Sequence, residues 1–105
     1  MFDLRDNGGG VLDDAISCIN LIVPEGTVAY AEDKNGTRTV VGSSDSETET
    51  ALPLVCLVNG STASAAELFA ASLRTMSGAR LVGTTTMGKG TIQSSPQRLS
   101  DGSAV

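Results

Sequence analysis

The chain has 105 residues with a formal net charge of −5, 40% hydrophobic and 18% charged residues, and three aromatics, which fits one domain of modest size, or part of one, with an aliphatic core. The acidic balance argues against non-specific binding to nucleic acid or to an anionic membrane, since both need clustered Lys and Arg. There is no histidine, so a Ser-His-Asp triad cannot be built and a serine nucleophile would need another base, for which lysine is an attested substitute.

Met1 to Arg5 reads as a short strand entering a turn. No signal peptide or run of about 18 apolar residues is present, and because the chain opens directly on this strand it is expected to be excised from something longer, with any targeting segment upstream. Asp6-Asn7-Gly8-Gly9-Gly10 is a loop whose backbone only glycine tolerates easily. Val11, Leu12, Ala15, Ile16, Cys18, Ile19 and Ile22 then recur at helical spacing, with Asp13 and Asp14 near the positive helix start and Pro24-Glu25-Gly26 as the stop. Between Thr27 and Gly42, two runs rich in Val, Thr and Tyr flank Asp33-Lys34-Asn35-Gly36, and the Asn-Gly step predicts a hairpin with a type I′ turn.

Ser43 to Thr50 is wholly polar and predicts a solvated surface loop. Leu52 to Val58 is nearly continuous in apolar residues, as in a strand buried on both faces, and Asn59-Gly60-Ser61-Thr62 turns the chain into a helix from about Ala63 to Met76. A short strand at Arg80 to Val82 leads into the loop Gly83 to Gly90. Thr91 to Ser95 and Gln97 to Leu99 look extended, Asp101-Gly102 is a turn, and Val105 falls where a further strand should begin. This order predicts a mixed α/β fold. Cys18 and Cys56 each lie in an apolar run and are expected to be buried small hydrophobes rather than a disulfide.

Ser64 falls at the start of a helix that directly follows a buried strand, where a side chain stands above the sheet edge and backbone N–H groups point outward to bind an oxyanion. Ser64-Ala65-Ala66-Glu67 equally fits a capping box in which Ser64 caps the helix and Glu67 bonds back. Lys89 follows 25 positions later between Gly88 and Gly90, and is either a solvated loop cation or a base. An ordinary lysine has a pKa of about 10.4, so a base working near neutrality needs a shift of about three units, about 4 kcal/mol, from an enclosed apolar pocket or a neighbouring cation. Gly8-Gly9-Gly10 lacks both the Walker and the dinucleotide-binding spacing. It is left as a simple tight turn or as a backbone donor to an acyl oxyanion. Without histidine or CxxC spacing no metal site is expected, and no cofactor.

Three segments, in this order and spacing, resemble the C-terminal processing peptidases, a serine protease family that uses a Ser/Lys dyad. Asp3-Leu4-Arg5-Asp6-Asn7-Gly8-Gly9-Gly10 is similar to the family's Asp-Leu-Arg-x-Asn-x-Gly-Gly segment. Val58-Asn59-Gly60-Ser61-Thr62-Ala63-Ser64-Ala65-Ala66-Glu67 is similar to its nucleophile segment, and Gly83 to Gln93 to its lysine segment. The resemblance implies Ser64 as nucleophile, Lys89 as base, Gln93 as the residue that orients it, and an oxyanion hole made of the Ala65 N–H and a glycine N–H from Gly9 or Gly10. It implies an α/β fold of the crotonase and Clp protease type, a core of β-β-α units truncated at both ends, with residues 1–105 forming a catalytic core fragment that carries no PDZ domain. Gly8 stands where many members have proline, and Met87 where an aromatic is common.

The function implied is a serine endopeptidase core that cleaves unfolded or C-terminal polypeptide segments through an acyl-enzyme, with a polypeptide substrate as partner, no nucleic acid, and an extracytoplasmic or cell-envelope location. Two alternatives stand beside it. One is a non-catalytic peptide-binding or scaffold domain, or an inactive excised fragment, whose exposed strand edges would favour self-association. The other is an acyl-CoA enzyme of the crotonase type, which gives no reason for the Lys89 and Gln93 spacing.

Overall fold

The computed structural model describes residues 1–45, 50–93 and 97–103. Its centre is a three-stranded parallel sheet in the order β1 (Phe2–Asp3), β4 (Val55–Val58), β5 (Arg80–Gly83), with Phe2 opposite Cys56 and Cys56 opposite Leu81. The middle strand carries the apolar run Val-Cys-Leu-Val, and its Cys56 and Val58 are buried. Parallel neighbours need a crossover, and α2 (Ala65–Ser77) supplies the one between β4 and β5.

Helix α1 (Leu12–Asn20) packs against α2. Together with β4 they enclose a core of Leu4, Ile19, Val23, Cys56, Val58, Ala70, Leu73 and Ala79. As the composition predicts, this core is aliphatic; the two phenylalanines meet at its margin, Phe2 and Phe69 lying edge-to-face with ring centroids 5.1 Å apart. Leu73 is fully buried, so its truncation to alanine costs about 2 to 5 kcal/mol.

The remaining strands, β2 (Gly26–Glu32) and β3 (Arg38–Ser44), form a separate antiparallel hairpin whose second strand lies against α1. Its register slips twice: Ala29 pairs with Gly42 but Tyr30 with Val40, so Val41 bulges out.

Several expectations need correction. The hairpin turn is not type I′, because Gly36 takes a positive φ of 82° while Asn35 does not. The Gly36 N–H donates to the Asp33 carbonyl at 3.0 Å, and the Asp33 carboxylate accepts the Asn35 and Thr37 N–H groups at 2.8 and 2.9 Å. That aspartate fixes a three-residue loop closed by a glycine in the left-handed region. Ser43 and Ser44 belong to β3 rather than to a loop, and residues 46–49 of that expected loop lie outside the described residues. The apolar run at 52–58 is strand only from Val55, with Leu52 exposed, because Pro53 has no N–H to give a ladder. Cys18 is exposed, and only Cys56 is buried. No strand forms at 91–93, and of 97–99 only Arg98 makes an isolated bridge, while Ser94, Ser95 and Val105 lie outside the described residues.

Candidate active site

The loops that leave the C-terminal ends of β1, β4 and β5 meet on one side of the sheet, the usual place for a site in an open α/β sheet. Buried Thr62 joins them. Its hydroxyl donates to the Leu4 carbonyl at 2.7 Å and accepts the Asn59 N–H at 3.0 Å, while its carbonyl accepts the Met87 N–H at 3.0 Å. Asn59 and Asp6 pair reciprocally: the Asp6 N–H donates to Asn59 Oδ1 at 3.0 Å, and Asn59 Nδ2 donates to Asp6 Oδ1 at 3.0 Å. The Ala63 N–H donates to the Asn7 carbonyl at 3.0 Å. Within the first loop's leading strand, Arg5 donates from its side chain and backbone to Asp3, which holds the Asp3 carboxyl down at about 2.

Ser64 sits at the N-cap of α2 with φ 55° and ψ −122°. A non-glycine residue at positive φ carries strain, and such strain clusters at functional sites. Ser64 and Glu67 stand in capping-box relation, yet no side-chain hydrogen bond from Ser64 caps the helix. The Glu67 and Leu68 N–H groups instead donate to the Ser64 carbonyl at 2.9 and 3.0 Å. Glu67 does reach back, its Oε2 accepting the Ser64 N–H at 2.9 Å.

The same carboxylate does more than cap. Its Oε1 accepts the Thr86 hydroxyl at 2.6 Å and the Gly88 N–H at 2.7 Å, and its Oε2 accepts the Lys89 N–H at 2.9 Å. Desolvation pulls the Glu67 carboxyl upward, but the hydrogen bonds from Thr86, Gly88, Ser64 and Lys89 together outweigh it and hold the pKa below its ordinary value. One carboxylate therefore ties the serine turn to the lysine loop.

Gly9 lies against the serine turn. A Cβ on it would stand 2.6 Å from the Ala63 carbonyl oxygen and 2.8 Å from the Ala65 nitrogen, and its φ is 90°. Only glycine fits there. The Gly9 N–H is already used, donating to Asn7 Oδ1 at 2.9 Å. Neither Gly10 nor Ala65 donates its N–H to another described residue.

A cavity of about 580 Å³ opens at this point, with Ser64, Ala65, Gly10, Lys89 and Gln93 all in its lining. Five of the six residues expected at the site thus share one space. Gly9 lines a second, smaller cleft of about 310 Å³ behind it. Lys89 is exposed, so the described residues do not supply the enclosure that the sequence reading asks of a neutral lysine. Among the described residues no group of three or more His, Cys, Asp or Glu side chains is placed to hold a metal ion. Among the described residues no helix is long and apolar enough to cross a membrane.

The family model "Peptidase family S41" matches residues 1–105. The chain belongs to peptidase family S41. This S41 chain is 42% identical over 106 residues to the carboxy-terminal processing protease CtpA of Bacillus subtilis, an alignment covering all of the chain and 22% of that protein. It is 44% identical over 108 residues to the chloroplastic carboxyl-terminal-processing peptidase 1 of Arabidopsis thaliana, again over all of the chain and 22% of that protein. Its structure superposes on a solved photosystem II D1 C-terminal processing protease with a TM-score of 0.88 and 38% identity, covering 97% of this chain and 26% of that one. The S41 chain therefore spans about a fifth to a quarter of the length of these relatives.

Two residues at this site carry no catalytic role in the sequence pattern: Asn7, which holds both Gly9 and Ala63, and Glu67, which the pattern offers only as a cap. Both letters are present in the segments that carry the resemblance. Ala63 for Asn7, and Thr86, Gly88 and Lys89 for Glu67, lie far along the chain, and only the fold brings them together.

Proposed function

We propose that this chain is the catalytic core of a serine endopeptidase that cleaves polypeptide through an acyl-enzyme on Ser64. The observation that carries this reading is the shared cavity: Ser64 at a strained turn, two uncommitted N–H donors beside it at Gly10 and Ala65, and Lys89 in the same lining. In the reaction, Ser64 Oγ attacks the scissile carbonyl while the Lys89 amine takes the hydroxyl proton and later passes it to the leaving amine. The Ala65 and Gly10 N–H groups receive the developing oxyanion, and a donor of this kind is worth about 3 kcal/mol in the transition state. Gln93 orients the amine. Because its N–H is held by Asn7, Gly9 shapes the turn rather than donating to substrate. The same groups then direct water onto the acyl-enzyme.

Leu12, Val41, Leu68 and Ile92 also line the cavity, which suits an apolar side chain next to the scissile bond. The parallel sheet with its strand-turn-helix step at Ser64 supports the crotonase and Clp protease type as the finer fold, and family resemblance supports an extracytoplasmic or organellar location.

The exposure of Lys89 favours a second reading for these residues taken alone: a folded but inactive or merely binding unit, with the lysine enclosed only in the whole protein. Fluorophosphonate labelling of Ser64, read by intact mass from about pH 6 to about pH 10, tests both. Labelling that depends on Lys89 and rises well below the ordinary lysine range supports the dyad. Labelling unaffected by Lys89→Ala in the whole protein overturns it.

A further inference from the structure

The sequence contains three Asn-Gly steps, at Asn7-Gly8, Asn35-Gly36 and Asn59-Gly60. Such a step reacts with itself when the glycine nitrogen reaches the asparagine side-chain carbonyl, so the local structure decides which of them reacts. At Asn59 the side chain is pinned at both ends: Oδ1 accepts the Asp6 and Ser61 N–H groups at 3.0 and 3.1 Å, and Nδ2, the nitrogen that would have to leave, donates to Asp6 at 3.0 Å. At Asn35 the attacking nitrogen is engaged, since the Gly36 N–H donates to the Asp33 carbonyl at 3.0 Å.

Asn7-Gly8 differs from Asn59-Gly60 in the exposure of its asparagine and from Asn35-Gly36 in its attacking nitrogen. Both residues are exposed. Nothing lies within 4 Å of where a Gly8 Cβ would stand, so no other part of the fold crowds this turn at Gly8. The Gly8 N–H donates to no described residue. The Gly9 N–H, donating to Asn7 Oδ1 at 2.9 Å, holds the side chain back along its own loop. It also polarises the very carbonyl that would be attacked.

We propose that Asn7-Gly8 is a site of spontaneous deamidation, and that the modification disarms the serine turn. The Gly8 nitrogen bonds to Asn7 Cγ, and the side-chain nitrogen leaves as ammonia, carrying the amide proton. Water then opens the five-membered imide at either carbonyl to give aspartate or isoaspartate. Aspartate keeps an acceptor for Gly9. Isoaspartate reroutes the main chain through Cβ and Cγ, adds one backbone carbon, and turns the Asn7 carbonyl that accepts the Ala63 N–H into a free carboxylate. Gly9 packs against Ala63, Ser64 and Ala65 too closely to absorb that displacement.

The test ages the whole protein that carries this chain at mildly alkaline pH and physiological temperature, then combines peptide mapping with amide exchange. Isoaspartate is expected at Asn7 several-fold faster than at Asn59, slowed several-fold by Gly8→Ala, with faster exchange over Ala63 to Ala65 in the modified fraction. An Asn7 that stays intact while Asn59 reacts overturns the proposal, and so does an isoaspartyl fraction whose exchange there is unchanged. A parallel loss of Ser64 labelling is also expected, and that arm alone rests on the peptidase reading. If Ser64 never labels while Asn7 reacts and exchange rises, the peptidase reading fails and the modification site stands.

Discussion

The Lys89 backbone N–H donates to Glu67 Oε2 at 2.9 Å, and that same oxygen accepts the Ser64 N–H at 2.9 Å. The proposed nucleophile and the proposed base are thus held by one atom from a residue that is neither. Helix geometry explains the choice of residue: Glu67 is three positions into α2, so its side chain lies back over the first turn toward Ser64.

Replacing Glu67 by glutamine removes the charge that these donors share and turns an NH₂ group toward some of them. The fold should survive with a loss of about 1 to 3 kcal/mol. Ser64 labelling should fall much further than stability does, as the lysine loop loses its register. Labelling and thermal melting of Glu67→Gln check this, and an unchanged labelling rate refutes the clamp.

The clamp should also fail with acid in a defined direction. Because the native Glu67 pKa is held below the ordinary glutamate value of 4.5, its contribution is fully present above that value and is lost as pH falls through the lower native one. The stability gap between wild type and Glu67→Gln, measured by melting at a series of pH values, should therefore be constant near neutrality and close at acid pH.

Ser64→Ala and Lys89→Ala should each lower turnover of the whole protein by about 10³-fold or more. Neither should disturb folding, since neither side chain is fully buried. Peptide cleavage assays with circular dichroism as the folding control decide the matter; normal cleavage by either variant sinks the dyad.

The two glycines of the first loop should behave differently. Gly9→Ala places a methyl group 2.6 Å from the Ala63 carbonyl oxygen at a φ of 90°, which should cost about 1 to 3 kcal/mol and displace the serine turn. Gly10→Ala meets nothing within 4 Å and should melt like wild type. Equal melting temperatures for the two variants would contradict the packing described.

The cysteines offer a check on the fold itself. Cys18 is exposed and Cys56 is buried, with burial pushing the Cys56 thiol up. In the native protein a thiol reagent should modify Cys18 alone, and Cys56 should react only after denaturant is added.

By itself the sequence determined the order of elements and the chemistry they can support. The helical spacing of Leu12, Ala15, Ile16 and Ile19 and the apolar run ending at Val58 each encode their structure locally. The absence of histidine, with the Ser64 and Lys89 segments, restricted the catalytic options before any fold was known. Local pattern misled where a longer-range or side-chain contact won: the Asp33 carboxylate set the hairpin turn, and Cys18 turned outward from a helix whose other face is buried. Only the tertiary structure decided that Glu67 serves two loops, that Asn7 holds Gly9 and Ala63, and that Gly10 rather than Gly9 keeps a free N–H. The physical reason is that parallel pairing of β1, β4 and β5 delivers their outgoing loops to one side of the sheet. The hydrogen bonds that then form join residues up to 58 positions apart, a distance over which no local periodicity carries information.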